Sequence, residues 1–179
     1  MESNTNKPKS KIYKLVHTDP KRAIQLGIKY AKSNKKSDDP IQIQNMKYAQ
    51  KIGLALIKEK HYQGVMFITK HLGNMTMGPI KRNVMITIAR ALILAGQIKH
   101  ATQAARMIST LQGKNKTLAA KTIALELIKH GALEEARDIR QDLESQTSDY
   151  AKAAALELVI IQEKSSAPPP TPTGPSDIS

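Results

Sequence analysis

Chemistry needs side chains that titrate, ligate or attack, and this chain brings few of them together. Its five histidines, His17, His61, His71, His100 and His130, never stand four residues apart, the spacing that lets one helix offer two imidazoles to a metal. His130, directly before Gly131, suits the negative end of a helix instead. With no cysteine, thiolate metal sites, disulfides and cysteine nucleophiles are all excluded. Gly113-Lys114-Asn115-Lys116-Thr117 has the look of a phosphate loop but lacks the upstream glycine and a hydroxyl directly after lysine. It also follows a helical stretch rather than a strand, and reads as a basic interhelical turn. Glu134, Glu135, Asp138 and Asp142 lie three and four residues from Arg137 and Arg140, the pattern of solvated ion pairs along a helix. No general acid or base is implied, so neither an enzyme nor a cofactor or metal is expected.

What the chain has in excess is positive charge. The formal net charge is +13, and it is uneven: residues 1–40 carry 10 basic and 4 acidic side chains, 81–120 carry 7 and none, and 121–179 carry 6 and 10. From Lys60 to Leu125 there is no acid, while Lys60, Lys70, Lys81, Arg82, Arg90, Lys99, Arg106, Lys114, Lys116 and Lys121 are all basic. Such a field suits an anionic partner, whether nucleic acid, an acidic protein or a membrane surface. It equally suits a plain solvated surface.

These residues have to be positioned by helices. Aromatic residues are 3 % of the chain, with Phe67 the one phenylalanine and no tryptophan, so the core must be Ile, Leu, Ala and Met, which pack well between helices. Asp19-Pro20 and Asp39-Pro40 each read as an N-cap followed by proline in the first helical position. With Gly73, Gly78-Pro79 and the lysine-rich stretch 33–37 as breaks, the pattern predicts helices at about 11–17, 20–34, 40–59, 61–72, 79–95, 97–111, 115–130, 132–145 and 148–164. Short connections make consecutive helices antiparallel neighbours. One domain over 10–164 is expected, between a disordered basic tail at 1–9 and a disordered proline-rich tail at 165–179 that holds Pro169-x-x-Pro172. The polar start has no secretory core, and the longest apolar run, Val84 to Gly96, is broken by Thr87 and Arg90. A cytoplasmic protein without membrane insertion is the expectation.

The helices repeat. A shift of 35 residues superposes Ile88 on Ile123, Ala89 on Ala124, Leu92 on Leu127, Gly96 on Gly131, Ala101 on Ala136 and Ile108 on Leu143. A shift of 36 brings Ala55, Leu56, Ile57, Tyr62, Val65 and Leu72 onto the first of these copies, with Lys60 where the others have glycine. Small residues let paired helices approach and glycine turns the chain between them. The Ala-x6-Gly-x4-Ala spacing at Ala89, Gly96, Ala101 and again at Ala124, Gly131, Ala136 resembles the tetratricopeptide repeat over about residues 40–145. The usual aromatic positions hold Leu92, Leu127, Ala105 and Arg140, and no proline closes either unit, so the likeness is to a degenerate form. The pentatricopeptide repeat, an RNA-reading array of nearly the same period, shares the spacing but uses many more copies. The resemblance implies an all-α, right-handed α-α superhelix of about four antiparallel helix pairs, with the first helix of each pair lining a concave binding face.

On those first helices, Asn83, Thr87 and Arg90 make a polar stripe, and Lys47 and Lys51 hold the places of Asn83 and Thr87 one repeat earlier. With Lys81, Arg82 and Lys121 they form the candidate partner-binding set, suited to carboxylates or phosphates. The same residues also serve as the wet side that every helix needs. Two functions remain open: an adaptor gripping an acidic peptide or protein segment, and a nucleic-acid binder using phosphate contacts, with few aromatics for base stacking. The acidic last third against a basic middle also admits a head-to-tail homo-oligomer.

Overall fold

In a computed structural model the described residues are 10–36, 38–73 and 76–168. Among them the chain is all-helical: α1 Lys11–Thr18, α2 Pro20–Ala31, α3 Pro40–Lys58, α4 Tyr62–Gly73, α5 Pro79–Leu94, α6 Ile98–Ser109, α7 Lys114–Lys129, α8 Leu133–Glu144 and α9 Asp149–Ser166. Starts are set by the anticipated caps. The Asp19 carboxylate accepts from Arg22 N–H at 3.1 Å and the Asp39 carboxylate from Ile41 N–H at 2.8 Å, each ahead of a proline at the first helical position.

Two boundaries differ from the sequence expectation. The second helix stops at Ala31 rather than near 34, because the polar run Lys32 to Lys36 has no apolar face left to bury. The last helix continues through Ser165 to Ser166, so the expected tail begins two residues late; both serine hydroxyls donate back to carbonyls one turn earlier, Ile161 and Gln162, at 2.9 Å. The expected tail at 1–9 and the Pro169-x-x-Pro172 motif lie outside the described residues.

Three interhelical turns are built alike. The N–H groups of His61, Gln97 and Ala132 reach back to the carbonyls of Leu56, Leu92 and Leu127 at 2.8, 2.8 and 2.9 Å, across a residue with positive φ. That residue is Gly96 at +72° and Gly131 at +76°, and in the earliest copy Lys60 at +62°. The lysine copy, read as degenerate, keeps the same turn.

Packing follows the repeat. Every substantial helix contact joins a helix to the next one or the next but one: α3 with α5, α5 with α7 and α7 with α9 on one side, α2 with α4, α4 with α6 and α6 with α8 on the other. Leu56, Leu92 and Leu127 are fully buried at matching positions, as are Val65, Ala101 and Ala136. Each such leucine contributes about 1.5–3 kcal/mol by leaving water. Ala89 and Ala124 are buried where helices press together, and the corresponding residue in the first copy is Gly53, which a Cβ would bring to 2.9 Å from Ile88 Cδ1. No helix among the described residues is long and apolar enough to cross a membrane.

Candidate functional site

The eight candidate residues fall into three environments. Lys47 and Lys51 stand one turn apart on the exposed side of α3, whose opposite side buries Met46, Ala49 and Ile52. Neither has an ion-pair partner among the described residues. On α5, the helix packed beside it, Asn83 is exposed and the Thr87 hydroxyl donates to the Asn83 carbonyl at 2.8 Å. These four side chains present donors and no acid.

The second group is already hydrogen-bonded to other side chains. Arg90 donates to Glu126 on α7 at 2.9 Å, Lys121 to Glu157 on α9 at 2.7 Å, and Arg82 to Asn115 Oδ1 at 3.0 Å and Asn83 Oδ1 at 3.2 Å. The stripe of Asn83, Thr87 and Arg90 is thus not uniformly free charge. The same device joins α6 to α8, where Arg106 holds Asp142 through two bonds of 2.7 and 3.1 Å while the Ser109 hydroxyl donates to Asp142 at 3.0 Å. Arg90–Glu126, Arg106–Asp142 and Lys121–Glu157 are each separated by 36 residues, one repeat. The acid-free stretch from Lys60 to Leu125 is therefore neutralised in part by acids one repeat downstream. Asp142 faces Arg106 instead of an arginine of its own helix, while Arg137 and Arg140 pair within α8 with Glu134 and Glu144 at 2.9 and 2.7 Å. At Glu126 partial burial pushes the carboxyl up, but Arg90 and Lys129 together outweigh it and hold the group below the ordinary carboxylate range.

Lys81 is alone in the third environment. It is 2 % exposed, its Nζ has no hydrogen-bond partner, and burial lowers its ammonium below the usual lysine range. It lines a cavity of about 420 Å³ with Ser33, Asn34, Lys35, Lys36, Gln42, Thr76, Gly78 and Ile80. Gln42, 3 % exposed with an orphaned Oε1, was given no role by sequence reasoning. The available signal was positional, since Gln42, Lys81 and Lys116 are each the third residue of α3, α5 and α7.

Three of the histidines have local partners. His17 Nδ1 lies 3.2 Å from Glu59, His100 packs 5.6 Å from the Tyr62 ring, and His130 Nδ1 lies 2.9 Å from the Glu126 carbonyl. Gly113 is the N-cap of α7 and Lys114 to Thr117 its first turn. No group of three or more His, Asp or Glu among the described residues is placed to hold a metal ion. Tyr30 stacks on Tyr48 with ring centroids 5.2 Å apart, and Tyr13 donates to Glu59, so the large exposed aromatics are Phe67 and Tyr150. No protein-family model, characterised protein or solved structure matches the chain.

Proposed function

We propose that the chain is a small helical-repeat scaffold, a right-handed α-α superhelix of about four antiparallel pairs, that binds an acidic protein segment across the face shared by α3 and α5. The contact pattern of next and next-but-one helices and the threefold repeated turn at Lys60, Gly96 and Gly131 support a tetratricopeptide-like array. The observation that carries the partner is a difference between neighbouring repeats. Arg90 of α5 and Lys121 of α7 meet acids one repeat on, whereas Lys47 and Lys51, 36 residues before Asn83 and Thr87, have no ion-pair partner among the described residues. An added acidic segment supplies the carboxylates missing at that step. Nucleic acid is the weaker reading because most aromatic rings are engaged inside the fold and base stacking has little to use.

The test is fluorescence anisotropy with a labelled Asp/Glu-rich peptide and a labelled single-stranded RNA over a salt series. The scaffold reading expects peptide binding that Lys47→Glu/Lys51→Glu weakens at least tenfold, with any RNA retention nearly unchanged. Peptide affinity that survives the double reversal refutes the face. Tighter RNA binding that the reversal weakens equally assigns the surface to nucleic acid.

A further inference from the structure

Independently of the α3–α5 face, the cavity around Lys81 has the makings of a ligand site. An unpaired ammonium removed from water is costly, and proteins ordinarily pair it or leave it exposed. Here two buried polar atoms from different helices, Lys81 Nζ and Gln42 Oε1, are both left without partners, and both residues line the same cavity. One is a donor and the other an acceptor, so each lacks what the other has, yet they do not bond to each other.

The rest of the wall has one electrostatic sign. Lys35 and Lys36 sit in the α2–α3 connector, and no Asp or Glu is among the described residues that line the cavity. The floor is the start of α5: Gly78 is its N-cap, no side chain caps it, and Pro79 brings no N–H. The amides of Ile80 and Lys81 are therefore among the donors a helix start leaves unsatisfied, at the positive end of its dipole. Ser33, Asn34 and Thr76 add short polar groups. At about 420 Å³ the space lies at the lower end of the range for small-molecule sites.

We infer that this cavity binds a small phosphomonoester, its phosphoryl group held by Lys81, Lys35, Lys36 and the α5 amides and a hydroxyl of its organic part donating to Gln42 Oε1. A tetrahedral dianion is favoured over a single carboxylate because donors arrive from three sides, the connector, the helix start and the buried lysine, and more than one positive charge has to be met. The acceptor at Gln42 then calls for a donor on the same molecule; inorganic phosphate can offer one only from a P–OH, an oxygen that would have to turn away from the cations, whereas the organic part of an ester brings a separate hydroxyl. The molecule carries its own control. Lys116 is also the third residue of its helix and lines the next cavity, about 330 Å³, with Thr76, Gly113 and Lys114, but it is only half-buried and leaves no orphaned nitrogen.

Isothermal titration calorimetry of the full chain with glycerol 3-phosphate, inorganic phosphate and malonate tests the assignment. Glycerol 3-phosphate should bind most tightly and malonate least. Lys81→Met, which removes a buried charge and leaves length and fold, should weaken both phosphates at least tenfold with melting temperature unchanged or raised. Lys35→Ala/Lys36→Ala, on the exposed rim, should weaken them severalfold, Gln42→Leu should erase the advantage of the glycerol ester over phosphate, and Lys116→Met should change nothing. Absence of binding by either phosphate, full affinity in Lys81→Met, or malonate binding as well as phosphate would each overturn it.

Discussion

Replacing Gly96 and Gly131 by alanine isolates a backbone cost with almost nothing else mixed in. Both residues hold φ above +70°, at +72° and +76°, and a Cβ at either meets nothing within 4 Å. No cavity, clash or hydrogen bond changes, so the effect is the left-handed conformation itself. That conformation disfavours an L-residue by about 1–2 kcal/mol, and alanine returns roughly 0.4–1 kcal/mol by restricting the unfolded chain. Each substitution should therefore destabilise by about 1 kcal/mol, and the pair, one repeat apart and sharing no contact, by about 2 kcal/mol. Lys60 is the converse case, since at φ +62° it already bears the strain, and Lys60→Gly should stabilise by about 0.5–1 kcal/mol. Urea titration followed by far-ultraviolet circular dichroism reads all four variants, and an unchanged slope shows that the shift is in stability rather than in the states compared. Should Gly96→Ala cost nothing measurable, or Lys60→Gly destabilise, the three turns are not equivalent and the structural repeat does not extend to residue 60.

Other consequences are open to the same assays. A double-mutant cycle of Arg106→Met with Asp142→Asn should give a coupling of about 0.5–1 kcal/mol that shrinks in 0.5 M NaCl, as befits a pair with one half-exposed partner. Gly53→Ala should cost about 1–2 kcal/mol through its contact with Ile88 Cδ1, and combining it with Ile88→Val, which removes that atom, should cost less than the two singles together. Because the folded Glu126 carboxyl sits below its unfolded value, its stabilisation is present above the ordinary carboxylate range and is lost as pH falls through the lowered value; Glu126→Gln should flatten the pH dependence of urea midpoints between about pH 5 and 3.

Helix order was legible because the punctuation is local. Asp19-Pro20, Asp39-Pro40 and Gly78-Pro79 mark starts within the chain's own few residues, and glycine at 96 and 131 marks stops. The end near Ala31 was harder, since polar Lys32 to Lys36 neither breaks nor requires a helix. The site was less legible because charge compensation acts between repeats. Arg90 finds Glu126 only after α5 and α7 are packed, and a count of acids along the sequence misses a partner 36 residues away. The correspondence of Lys81 with Gln42 was hidden by register. A shift of 36 sets Lys81 opposite Asn45, but α3 is three residues longer than α5, so its structural counterpart at the helix start is Gln42, 39 positions earlier. Read by distance from the helix start, the two orphaned groups fall in line.

That each helix makes its substantial contacts with the next and the next but one bears on how the chain is made. When α5 and α6 emerge, the α3 and α4 surfaces that receive them belong to segments a ribosome has already released, and α7 and α8 cover their other sides later. Loop closure between partners stays short and assembly can keep pace with synthesis, growing from the amino-terminal helices outward. Arg90, Arg106 and Lys121 wait unpaired until the segment 36 residues on has emerged, then fasten the new helix to the old. Synthesis halted partway would leave the earlier helices packed on one another, the newest cations still in water.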